Sequence, residues 1–151
     1  MANEALLATA FRRIHATRMP GIPILNAALD VEAFGFRDWN GMRVGVLITP
    51  WSINLVILRE LDAALPALRL SERRSWCFPS GSYEFMGGDE PECGPFDFCS
   101  LFSPALEFHD QAAARAVAES VMTQLFAAGH GLSRRALLMP SAAHDATEAS
   151  A

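Results

Sequence analysis

Three thiols, four imidazoles and a run of carboxylates are the groups in this chain that could carry out chemistry. The cysteines are Cys77, Cys93 and Cys99, and the histidines are His15, His109, His130 and His144. Structural zinc announces itself as two close-spaced ligand pairs, and no Cys-x-x-Cys occurs. Cys93, Cys99 and His109 could converge on a metal, but a free cysteine is more often a small buried hydrophobe. A Cys99–His109 nucleophile would need hydrogen-bond contact and a lowered thiol pKa. The sequence around Cys99 matches no nucleophile signature. Glu84, Asp89, Glu90, Glu92 and Asp97 form an acidic set that is more simply a loop rim than a ligand cluster. No Gly-x-Ser-x-Gly, phosphate loop or dinucleotide fingerprint is present. Gly81 and the Gly87-Gly88 pair stand in expected turns. The expectation is no catalytic residue, no metal and no cofactor, with Cys93 and Cys99 as the candidate redox pair.

What remains is aromatic surface framed by proline. Thr49-Pro50-Trp51 is a stiff corner, because proline fixes φ and cannot donate to a strand ladder. It precedes Ile53–Leu58, the strongest β-forming run in the chain. Trp76, Phe78, Tyr83, Phe85, Phe96, Phe98, Phe102 and Phe108 crowd other Pro or Gly corners. Most of these must fill the core, whereas Trp51 and Phe102, at corners, could anchor a protein partner.

The elements that must position these groups read as helix, strands, helix. Leu7, Ala10, Phe11 and Ile14 recur at helical spacing behind a capping Asn3, and Met19-Pro20-Gly21 ends the helix. Its polar face, Arg12, Arg13, His15 and Arg18, reads as solvated. Alternation over Leu25–Phe34 predicts a strand, Phe36–Met42 a turn with Asn40-Gly41 at its centre, and Met42–Ile48 the returning strand. The segment Arg59–Ser75 is poorly patterned, with a helical turn around Leu61, Ala64, Leu65 and Leu68. Strands follow at Ser75–Phe78, Ser82–Met86 and Phe96–Phe102. Asp110 caps a final helix whose stripe is Ala114, Val117, Ala118, Val121, Leu125 and Ala128, with Gly129 at its stop and an Arg115–Glu119 pair on its surface. The fold class is α+β: a central antiparallel sheet of about five or six strands flanked by an N-terminal and a C-terminal helix. Residues 1–131 form one domain, and 132–151 read as a flexible tail.

Composition narrows the class further. The chain has 151 residues, 51% of them hydrophobic and 19% charged, with a net charge of −5. All 12 basic residues are arginine and none forms a stripe, which argues against a nucleic-acid partner. Apolar runs fall short of the ~20 residues of a membrane span. An odd number of cysteines suits a reducing, cytoplasmic setting.

Three motifs in order carry a resemblance. Thr49-Pro50-Trp51 with Asn54-Leu55-Val56 comes first, then Phe78-Pro79-Ser80-Gly81 with Tyr83-Glu84-Phe85, then Cys99-Ser100-Leu101-Phe102-Ser103-Pro104 with Glu107-Phe108. Together with Ile22–Asn26, they resemble the HybE/HupJ family of [NiFe]-hydrogenase assembly chaperones over roughly residues 5–128. The resemblance implies a non-catalytic maturation protein acting in the cytoplasm. Its clients would be the hydrogenase large subunit, the small-subunit precursor with its twin-arginine signal, or both. It also implies a partner-binding set of Thr49, Pro50, Trp51, Asn54, Pro79, Gly81, Tyr83, Glu84, Ser100, Leu101, Phe102, Ser103 and Pro104. Two alternatives stay open. One is a redox or iron–sulfur handling protein using Cys93 and Cys99, and the other is a small-molecule module in the sheet's concave face.

Overall fold

The computed structural model describes residues 3–59, 65–69 and 72–128. Helix α1 (Glu4–Thr17) begins where the Asn3 side chain accepts the Leu6 N–H at 2.9 Å, as a capping residue should. Leu7, Ala8, Ala10 and Ile14 are its buried stripe. Six strands follow: β1 (Glu32–Trp39), β2 (Met42–Ile48), β3 (Ile53–Leu58), β4 (Arg73–Phe78), β5 (Gly81–Glu90) and β6 (Gly94–Phe102). Helix α2 (Gln111–Leu125) closes the domain, capped by the Asp110 carboxylate on the Ala113 N–H. The expected stop at Gly129, the tail 132–151 and most of the predicted helical turn near residue 61 lie outside the described residues. Arg115 does not pair along its helix. It reaches Glu32 at the start of β1 instead, at 2.8 Å.

The strands form one antiparallel sheet in the order β1-β2-β3-β6-β5-β4. Alternate residues face opposite sides, and each side has its own core. On the concave side Val44, Val46, Ile48, Leu55, Ile57 and Phe85 pack against Ala114, Val117, Val121 and Leu125 of α2. On the convex side Leu47, Val56, Leu58 and Phe96 pack against Leu7, Ala8 and Ala10 of α1. The α2 side chains cover the middle of the concave face.

Two strand boundaries differ from the sequence pattern. The alternation at Leu25–Phe34 is not a strand: only Leu29 and Val31 of its first seven residues are buried, and pairing begins at Glu32↔Ile48. The strand then runs through the predicted turn to Trp39, leaving Asn40 (φ 51°) and Gly41 (φ 79°) to reverse the chain. A bulge between Phe34 and Arg37, with Gly35 at φ 70°, puts Phe34 against the concave core and Phe36 against the convex one. Gly87 and Gly88 do not end β5 as expected but lie inside it, since a Cβ at Gly88 would stand 2.5 Å from the Phe96 ring.

Candidate functional site: an apolar groove between α1 and the sheet

Helix α1 covers only part of the convex face. Beside it lies a groove of about 340 Å³, walled by Phe11 and Ile14 on one side and by Met86, Phe96 and Phe98 on the other. Trp51 stands at one end, its ring 6.3 Å from Phe11 and nearly parallel to it, and 5.9 Å from His15. Asp89 and Glu90 edge the far wall.

The residue that presents Trp51 is Thr49, which is fully buried and so cannot itself touch a partner. Its hydroxyl oxygen accepts the Ser52 N–H at 2.9 Å and the Trp51 N–H at 3.3 Å, while its own N–H donates to the Ser52 carbonyl at 2.9 Å. These bonds close a tight turn between β2 and β3 with Pro50 buried and Trp51 turned outward.

Asn54 lies on the groove's floor, paired in register with Leu47 and Ser100. Its Nδ2 makes a long 3.4 Å contact to the Ser52 hydroxyl, and its Oδ1 is buried without a hydrogen-bond partner. Buried acceptors are normally satisfied, so a ligand that brings a donor would remove a cost already present in the free protein.

The polar side of α1 is only partly the solvated face that its sequence suggests: Arg12 and Arg18 are exposed, whereas Arg13 and His15 are half-buried. Arg13 grips Glu92 at 2.6 Å and Glu90 at 2.8 Å, and Arg18 reaches Glu90 at 3.3 Å. Arg43 ties the other end of the helix through Glu4 at 2.7 Å. The hydrogen bond from Arg13 holds the Glu92 carboxyl below its ordinary range, and the one from Arg43 does the same to Glu4. The acidic cluster is thus partly a latch for the helix that walls the groove.

The proposed corner residues do not all meet. Ser103 and Pro104 are exposed and join the Trp51 end, because Asn26 donates to the Ala105 and Phe108 carbonyls and to the Pro50 carbonyl. The Phe78–Gly81 corner lies elsewhere. The Ser80 N–H donates to the Leu125 carbonyl, and Phe78 stacks on Trp39 at 4.2 Å and meets Phe126 at 5.8 Å. That places it at the C-terminal end of α2, whereas Gln111 at the N-terminal end bonds Asp30 and Glu32 beside the Thr49 turn. A helix of 15 residues separates the two ends by about 20 Å. Pairing of β5 with β6 stops at Met86↔Phe98, and the β4–β5 tip beyond it packs against Trp39 and the C-terminal end of α2.

Individual residues sort accordingly. Phe102 is fully buried and packs edge-on to Phe108 at 5.1 Å, which makes it core rather than a surface anchor. Leu101 and Tyr83 pack partly against the concave core, and the Tyr83 hydroxyl meets Ser80 at 2.6 Å. Glu84 is exposed and paired with Arg73 at 2.9 Å. Pro79 is exposed at the remote corner and Gly81 is half-buried there. Ser100 is exposed beside Asn54. Phe11, Ile14 and Met86, missed by the sequence reading, complete the groove. Their only signal was apolar character at the margins of a helix stripe and a strand.

Cys93 and Cys99 do not form a pair. Cys93 is buried in the convex core and Cys99 packs on the concave side, opposite Leu55 in register. Burial, with the Glu90 charge second, pushes the Cys93 thiol up to about 11, and burial also raises that of Cys99. Both thiols are therefore less reactive than a free cysteine. Among the described residues no group of three or more His, Cys, Asp or Glu could hold a metal ion, and no helix is long and apolar enough to cross a membrane.

A family model described as "[NiFe]-hydrogenase assembly, chaperone, HybE" matches residues 2–149. The chain belongs to the HybE family of [NiFe]-hydrogenase assembly chaperones. Protein HoxT of Cupriavidus necator is 45% identical over 133 residues, spanning 79% of this chain and 73% of HoxT. The hydrogenase expression/formation protein HupJ of Bradyrhizobium diazoefficiens is 41% identical, spanning 80% of this chain and 69% of HupJ. The solution structure of HybE from Escherichia coli shares the fold with a TM-score of 0.66 and 23% identity, covering 83% of this chain and 77% of that one. The two-helix, six-strand antiparallel architecture is thus that of the HybE family.

Proposed function

We propose that this chain is a non-catalytic holding chaperone that acts in the cytoplasm on an immature [NiFe]-hydrogenase subunit. The client is the large subunit, the small-subunit precursor with its twin-arginine signal, or both. An extended, apolar segment of that client lies in the groove between α1 and the sheet, with Trp51 against one end. The observation that carries this reading is a groove walled mostly by Phe11, Ile14, Val56, Met86, Phe96 and Phe98, with the Asn54 Oδ1 buried in its floor without a hydrogen-bond partner. A client peptide N–H satisfies that oxygen once the Asn54 carboxamide rotates toward the groove, and apolar side chains pack on Phe11, Met86 and Phe98. Its mostly apolar walls suit reversible capture of an apolar segment.

Pull-down of separately purified large-subunit and small-subunit precursors tests the proposal. Trp51→Ala and Met86→Glu should each reduce capture of the client by about tenfold or more, a loss of about 1.4 kcal/mol per decade. Far-ultraviolet circular dichroism and the melting temperature serve as folding controls. Undiminished capture by well-folded Met86→Glu protein would sink the groove as the binding site.

A further inference from the structure

Leu6, Ile24, Leu65 and Leu106 are the large hydrophobic side chains exposed among the described residues. Two of them, Ile24 and Leu106, stand on loops that a single side chain joins. The Asn26 carboxamide donates to the Ala105 carbonyl at 2.9 Å and to the Phe108 carbonyl at 2.8 Å. The Asn26 N–H donates to the Pro50 carbonyl at 2.7 Å. The loop before β1, the loop after β6 and the Trp51 turn are therefore tied at one point. Ile24 is 42% exposed two residues before that tie, and Leu106 is 54% exposed beside Ala105.

The base beneath them is fixed. Leu29, Ala105 and Phe108 are buried, and Asn26 Oδ1 accepts the Ala28 N–H at 3.0 Å. Gln111 holds Asp30 by its N–H at 2.8 Å. Two aliphatic side chains on a pre-ordered base bind with little loss of conformational freedom. Their surroundings are acidic. Asp30 and Asp110 lie in these loops with His109, while no arginine occurs in residues 19–36 or 75–114. Arg115, the nearest arginine along α2, is held by Glu32.

We propose that Ile24 and Leu106 form a second docking platform, contiguous with the Trp51 turn, for an apolar stretch of the client polypeptide bordered by Arg or Lys. The basic border is what the acidic rim selects. A second copy of this chain would set acidic rim against acidic rim, so self-association is disfavoured. The identity of the client rests on the chaperone reading above; the location does not depend on the groove.

The test uses the full chain, titrated against each purified precursor at low and high salt. Ile24→Ser/Leu106→Ser should bind at least about tenfold more weakly while its melting temperature falls only modestly, because both side chains are about half exposed. Asp30→Asn should flatten the salt dependence. If the double variant binds both precursors as the unmodified chain does, the platform is wrong. If Met86→Glu is impaired at the same time, the groove reading survives alone. If sedimentation shows a dimer that the double variant dissociates, the platform is a self-association surface and the proposal is overturned. If neither precursor binds the unmodified chain, both proposals fall.

Discussion

Replacing Asn54 by leucine should make the free protein more stable and the chaperone worse. In the free chain Oδ1 is buried without a partner, and such a group costs about 1–3 kcal/mol. The one contact the carboxamide makes, 3.4 Å to the Ser52 hydroxyl, is too long to offset much of that. Ser52 keeps its link to the Thr49 hydroxyl at 3.2 Å. Leucine branches at the same carbon and faces Phe98 and Val56 across an apolar floor. The net gain should be about 1 kcal/mol, or roughly 3–5 °C in melting temperature for a domain of this size. Urea denaturation at constant m-value checks it. In the same protein, client affinity should fall by about fivefold to tenfold, since the acceptor for the client N–H is gone. A less stable Asn54→Leu protein would mean that water already satisfies Oδ1. Unchanged client affinity would mean that the client donates nothing there, and the central argument for the groove would go with it.

Two further outcomes follow from the geometry. Gly45→Ala would place a Cβ 2.3 Å from the Phe36 ring and 2.7 Å from its Cα, a clash with backbone that no rotamer relieves. It should cost about 1–3 kcal/mol, seen as a lower urea midpoint, and an unchanged midpoint would refute the packing described at the bulge. The latch on α1 should be acid-sensitive. The Glu92 and Glu4 carboxyls are depressed below their usual 4.5 in the folded state, so their contribution is complete above that value and is lost as the pH falls through the lower folded one. Trp51 packs on Phe11 and His15 of α1, so its fluorescence should change in that window before the sheet unfolds. Glu92→Gln should shift the change, and a profile identical to the unmodified chain would leave the latch without a role.

Features fixed by a few adjacent residues were legible without the fold. Asn3 caps α1, Asp110 caps α2, and Asn40-Gly41 turns the first hairpin, because each depends on local donors, acceptors and φ. The α2 stripe and the strand Ile53–Leu58 were equally plain, since period and burial coincide there. Trp51 and Asn54 stand out by their neighbours in the chain, and both line the groove. The start of β1 was not legible: an alternating run at Leu25–Phe34 resembles a strand, but Glu32↔Ile48 is where a partner exists. Gly87 and Gly88 suggested a turn, whereas the close approach of Leu68 and Phe96 is what requires them.

What only the tertiary structure decided is which residues share a surface. Phe102 and Trp51 both sit at proline corners, yet one is core and the other walls a groove, because opposite sides of one sheet are closed by different helices. Cys93 and Cys99 are near in the chain and apart in space for the same reason. The Phe78–Gly81 corner resembles the Thr49–Trp51 corner in composition and lies at the other end of α2. Turn chemistry is a property of four residues. The company a turn keeps is set by strand pairings and helix contacts made tens of residues away.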